Sequence, residues 1–152
     1  MCMTIKAGTP KPSDIVPQTS IAYDELGNIR IDLTRLNIPF TVPPIPHWPV
    51  TPGTKSMLPT FGAGHNNLFL EPVDEINHSI LVDWLAYQTN KGYRDIIVYQ
   101  IPGQNPIVHR VVKCTSDQLG RYFKCKGDNI LYSDPDRIRD EHIKYISAGI
   151  IF

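Results

Sequence analysis

The chain has no excess of either charge: 15 basic side chains are matched by 15 acidic ones. A broad nucleic-acid-binding face needs surplus Lys and Arg against the phosphates, so the balance argues against that class of partner. Long apolar runs are also missing. No stretch approaches the roughly 18 residues of a membrane-crossing helix. The most apolar segments, 79–87 and 96–101, are short, and the first contains Asp83. Residues 1–12 lack the apolar centre of a secretory leader, so neither a cleaved leader nor a transmembrane segment is expected. Cysteine is scarce, with only Cys2, Cys114 and Cys125. An odd count without a leader suggests reduced thiols and a cytoplasmic setting. Cys114 and Cys125 read best as small buried apolar residues, the alternative being that they face each other across a hairpin. There is no Cys-x-x-Cys or His-x-x-x-His pair, so no metal site is expected, and nothing calls for another cofactor.

What the chain does have is proline. Nine of its 14 prolines fall in the first 52 of its 152 residues. Residues 1–19 are polar and proline-spaced and read as an extended arm. Residues 20–34 alternate Ile29, Ile31 and Leu33 after a Gly27-Asn28 turn, which predicts a hairpin. Residues 38–53 hold six prolines. Each fixes φ and removes a donor, so this strap is expected to be polyproline-II-like, neither sheet nor helix. From residue 54 the pattern becomes short strands rich in Ile, Val, Tyr and Phe: 68–71, 95–100, 107–113, 122–126 and 145–152. Turns are expected at 103–106 and 117–120. Ile80, Leu81, Trp84, Leu85 and Gln88 have helical spacing, with Asn77 or Ser79 as the cap and Gly92 as the stop. The reading is a mainly β domain over 54–152 with one short helical insertion, behind an extended proline-rich arm over 1–53.

Three segments can carry chemistry. Ser56 lies in Ser56-Met57-Leu58-Pro59-Thr60-Phe61, a loop restricted by its proline. A serine hydroxyl is a poor nucleophile without a base beside it. His109 lies in Pro106-Ile107-Val108-His109-Arg110-Val111, where a strand would point it away from the face of Val108 and Arg110. Lys126-Gly127-Asp128-Asn129 is the third, with Asp134 six residues beyond Asp128. Taken singly these are a surface hydroxyl, a structural histidine and a turn aspartate.

Taken in order, the set resembles the signal peptidase and LexA-type serine protease superfamily. SMLPTF is similar to its nucleophile box, DIIVYQIPGQNPIVHRVV to its paired strands, and KGDN with Asp134 to its acidic box. ISAGIIF is loosely similar to the closing strand. Many members have lysine where His109 stands; histidine there resembles the subtype of the endoplasmic-reticulum and archaeal signal peptidases. The resemblance implies a β-ribbon domain and peptide-bond hydrolysis through an acyl-enzyme. Ser56 would attack, His109 would shuttle the proton, and Asp128 or Asp134 would orient the imidazole. The oxyanion would rest on the Ser56 N–H and the Thr54 hydroxyl. The strand Leu68, Phe69, Leu70 and Glu71 would offer its edge to an extended protein or peptide substrate. Lys55 and Arg94 depart from glycines common in the family.

Two further readings compete with a soluble endopeptidase. A LexA-type protein would cut its own arm, with Ala7-Gly8 as a candidate bond. A structural subunit, for example of a viral or phage particle, would keep the fold, sit within the virion and use residues 1–53 to dock on an assembly partner.

Overall fold

The computed structural model describes residues 20–23, 29–32, 37–49 and 55–151. The expected arm over 1–19, the end of the strap and Thr54 lie outside the described residues. Ser20–Tyr23 (β1) and Ile29–Asp32 (β2) pair antiparallel, as the alternation over 20–34 predicts.

The rest of the described residues are mainly β: one six-stranded antiparallel sheet and a single α-helix. Its strands are Ile45–His47 (β3), Asn66–Glu71 (β4), Ile96–Tyr99 (β5), Ile107–Asp117 (β6), Gly120–Lys126 (β7) and Ile143–Ile151 (β8). Their order across the sheet is β3-β4-β8-β5-β6-β7. β5 reads Ile-Ile-Val-Tyr, is paired on both sides and is buried on both faces. An unbroken apolar run of that length is what a two-sided central strand requires. The β6–β7 hairpin turns at Asp117–Gly120, where the Asp117 side chain accepts from Leu119 N at 2.9 Å and Gly120 takes φ +101°. A positive φ of that size is open to glycine at no steric cost.

The helix, Glu75–Asn90 (α1), starts earlier than expected. Its cap is Asp74, whose carboxylate accepts from Asn77 N at 2.8 Å. Asn77 instead sits in the first turn and ties down the strap, its Oδ1 accepting from Thr41 N at 2.8 Å. The buried stripe runs Leu81, Val82, Leu85, Ala86 and Thr89, one position round from the expected stripe. The four apolar ones join Leu68, Ile97, Val111, Phe123 and Ile146 in the main core. A second cluster, Met57, Phe61 and Ile96, packs with Val108.

The strap departs from expectation. Residues 45–47 are a sheet strand, with Pro46 opposite Leu70. Proline is tolerated there because β3 is an edge strand, where one side of the backbone needs no donor. His47 also pairs with Glu71 at 2.6 Å. Cys114 and Cys125 are free thiols and do not face each other; their partners across the β6–β7 pair are Phe123 and Val111. Among the described residues no helix is long and apolar enough to cross a membrane.

Candidate active site

Ser56 opens the turn over 56–60 and is half-buried. Its neighbours Met57 and Phe61 are buried in the second apolar cluster, which anchors the loop to the sheet beside Ile96 and Val108. The turn closes through Leu58 N donating to Lys55 O at 3.3 Å and Phe61 N to Met57 O at 3.2 Å.

His109 lies on β6, directly opposite Ile97 of β5. Its imidazole is buried, and Nδ1 lies 2.8 Å from Asp134 Oδ2 and 3.0 Å from Oδ1. A carboxylate can only accept, so Nδ1 carries a proton, and in the neutral ring the lone pair is then on Nε2. That Nε2 faces the turn after β7. A Cβ added at Gly127 would lie 2.9 Å from His109 Nε2 and 2.7 Å from the Ser56 carbonyl oxygen. The two distances together cap the separation of the ring from the Ser56 backbone. Gly127 is therefore the spacer that lets the histidine and the serine loop approach. Among the described residues Ser56 Oγ makes no hydrogen bond to the ring; such contacts are often loose in a free enzyme.

Asp128 and Asp134, which sequence reasoning could not separate, have different partners. Asp134 is on the histidine. Its Oδ2 also accepts from the Tyr99 hydroxyl at 2.7 Å. Its backbone is fixed by Asp134 N donating to Cys125 O at 2.8 Å and by Lys124 Nζ donating to the carbonyls of Asp134, Pro135 and Asp136. Asp128 does not reach the imidazole. It is fully buried against the equally buried Arg110, accepting from Nε and Nη2 at 2.7 Å each. It also accepts from the Thr60 hydroxyl. A buried guanidinium demands such a two-pronged carboxylate. The result is a knot joining the serine loop, the histidine strand and the Gly127–Asn129 turn.

The turn grips the serine loop a second time. Asn129 N donates to Ser56 O at 2.8 Å and Asn129 Nδ2 to Lys55 O at 3.1 Å. Sequence reasoning gave no role to Gly127, Asn129, Arg110 or Tyr99. All four lie inside the quoted boxes, so box membership was the available signal.

Nearby carboxyl and hydroxyl groups are perturbed. Burial pushes the Tyr99 phenol well up, and its bond to Asp134 adds to the effect, so it stays a donor. Burial pushes Asp95 up to about 6, against the pull of the Arg110 charge. Among the described residues no cluster of His, Cys, Asp and Glu could hold a metal ion.

The strand Leu68–Glu71 is not open to a partner. β3 pairs with Phe69, Leu70 and Glu71, and Asn67 N donates to Pro49 O at 3.2 Å, while the other edge pairs with β8. The chain's own strap occupies the edge expected for substrate. Phe69 instead helps to line a mainly apolar cavity of about 490 Å³, with Trp48, Phe61, Val98, Val108 and Tyr145 among its walls. Val108 adjoins His109 in sequence, and Phe61 belongs to the Ser56 loop. Of the proposed oxyanion donors, the Ser56 N–H belongs to this loop and Thr54 lies outside the described residues.

Comparison with known proteins gives one informative match. The chain is 33% identical over 109 residues to the signal peptidase complex catalytic subunit sec11 of Schizosaccharomyces pombe. The alignment takes in 63% of this chain, and the chain spans a little over half, 57%, of that relative. This distant relationship supports the signal peptidase superfamily. No family model and no solved structure matches the chain.

Proposed function

We propose that the chain is a signal-peptidase-type serine endopeptidase in which Ser56 is the nucleophile, His109 the general base and Asp134 the group that orients it. One observation carries the reading. The imidazole is held by Asp134 at Nδ1 and turns Nε2 toward the Ser56 loop across Gly127. That is the polarity a base needs: a protonated nitrogen on the carboxylate and a lone pair on the nucleophile's side.

The chemistry follows from it. Ser56 Oγ attacks the scissile carbonyl carbon as its proton passes to His109 Nε2. The imidazolium is stabilised by Asp134, and the oxyanion by the Ser56 N–H. Collapse breaks the C–N bond, and His109 returns the proton to the leaving amine. Water, deprotonated by the same nitrogen, then hydrolyses the Ser56 ester. In this reading Asp128 is structural: with Arg110 it holds the loop and the strand in register. The apolar cavity beside Phe61 and Val108 suits apolar side chains of an extended polypeptide. The name of the relative suggests work within a larger complex, and segments such as 1–53 are candidates for that contact.

The test is incubation with a proteome-derived peptide library, reading new N-termini by mass spectrometry. Wild-type protein is expected to generate them, and Ser56→Ala and His109→Ala to lose them while melting normally. Cleavage by Ser56→Ala equal to wild type would refute the assignment. A structural role in an assembly draws on the missing Ser56 Oγ–His109 bond and predicts no cleavage at all. The intact mass of the same sample reads the self-cleaving alternative, which predicts a shortened chain.

A further inference from the structure

The sheet brings one more polar group to the candidate site, from a strand that the proposed mechanism does not use. Tyr99 is the last residue of β5 and is fully buried. On the adjacent strand, Ile107 is its direct partner and His109 lies two residues further along. Diagonal neighbours on one face of an antiparallel pair are within reach of a long aromatic side chain. Tyr99 and His109 therefore share the face that Asp134 covers. The phenol donates to Asp134 Oδ2 at 2.7 Å, the same oxygen that lies 2.8 Å from His109 Nδ1.

We infer that Tyr99 is a positioning residue for this site: its hydroxyl fixes the Asp134 carboxylate on His109 and limits how strongly that carboxylate favours the imidazolium. The inference rests on reading His109 as the general base. Both Asp134 oxygens lie close to Nδ1, so the imidazole alone does not choose between them. The phenol does, by pinning Oδ2. It also draws charge from that oxygen, because a carboxylate shared between two donors is a weaker acceptor for each. A base must be neutral to accept a proton, so an unshared carboxylate would hold the imidazole charged to higher pH.

The other titratable and charged groups around this unit are few. Lys124 and Cys125 come from β7, and Asp136 from the loop that carries Asp134. Lys124 touches only backbone carbonyls there. Burial and the Asp134 charge hold the Cys125 thiol neutral. Neither replaces the phenol on Oδ2.

The test is Tyr99→Phe, which keeps the ring and removes only the donor. Initial rates on the proteome-derived peptide library are followed across pH. The expected result is a rate at neutral pH lowered about tenfold, equivalent to roughly 1.4 kcal/mol of barrier. The acid limb should move up, a shift that a purely structural role would not produce. A second measurement needs no turnover. The far-downfield proton resonance of His109 Nδ1–H, assigned by its loss in His109→Ala, should move in Tyr99→Phe. A third uses protein grown with 3-fluorotyrosine, a stronger donor that leaves packing intact; the acid limb should then move down, and not in the Tyr99→Phe background. If His109→Ala cleaves like wild type, the general-base reading falls. If His109→Ala is inert but Tyr99→Phe keeps the wild-type rate, limb and resonance, the Tyr99 inference falls alone.

Discussion

Replacing Gly127 by alanine tests the geometry of the candidate site most directly. The φ of Gly127 is not in the left-handed region, so the substitution brings no backbone strain. On an open site, Gly→Ala would stabilise by about 0.4–1 kcal/mol through the unfolded chain. Here the new methyl would meet the Ser56 carbonyl oxygen at 2.7 Å, His109 Nε2 at 2.9 Å and Ile130 Cδ1 at 3.0 Å. Ile130 can move away cheaply, being the end of a flexible side chain. The other two cannot. Ser56 O is held by Asn129 N, and the imidazole is held by Asp134. Relief therefore separates the serine loop from the histidine. Overpacking of this kind costs about 1–3 kcal/mol. A displacement near 1 Å between nucleophile and base costs on the order of 10²-fold in rate. Urea unfolding should report the first, and peptide-library cleavage by the folded variant the second. If Gly127→Ala were as stable as wild type and cleaved at the same rate, the close approach of Ser56 and His109 around Gly127 would be refuted.

Three further expectations follow from the same contacts. Asp128→Ala should destabilise by about 3–5 kcal/mol in urea titrations, because it strands the Arg110 charge in the interior. Asp134→Asn should cost only about 1 kcal/mol in stability yet lower cleavage by up to about 10⁴-fold, since an amide nitrogen facing Nδ1 forces the wrong tautomer. The third concerns Asp95, whose Oδ2 is buried without a hydrogen-bond partner and whose pKa is raised from 3.8 to about 6. A raised carboxyl pKa means the folded state resists ionisation, so wild-type stability falls between about pH 4 and pH 6. Asp95→Asn should match wild type below that window and exceed it above by roughly 3 kcal/mol, read as the pH dependence of the urea midpoint.

Much of the sheet was legible because its residues alternate or run apolar over strand-length segments. β5 and β6 follow from Ile96–Tyr99 and Ile107–Lys113, and the β6–β7 turn from Asp117 and Gly120. The strap was misread because proline reports a lost donor and a fixed φ, not the presence of a neighbouring edge. β4 supplies that edge, and Pro46 fits it. The same pairing closed the Leu68–Glu71 edge that had looked free for substrate. The helix stripe was off by one position because Ile80 and Val82 are equally apolar, and only the facing core chooses between them.

For the site, the ingredients can be read along the chain: a serine in a proline-restricted loop, a histidine on a strand, and two acidic residues after a glycine. So can their order, which resembles that of a known superfamily. Which group each one serves is settled only by the packing. Asp128 went to Arg110 and Thr60, and Asp134 to His109 and Tyr99. Spacing along the chain could not make that choice, since both aspartates lie within reach of β6 once β7 turns back. It was made by which buried donor each carboxylate meets: a fully buried guanidinium takes one, and an imidazole and a phenol share the other.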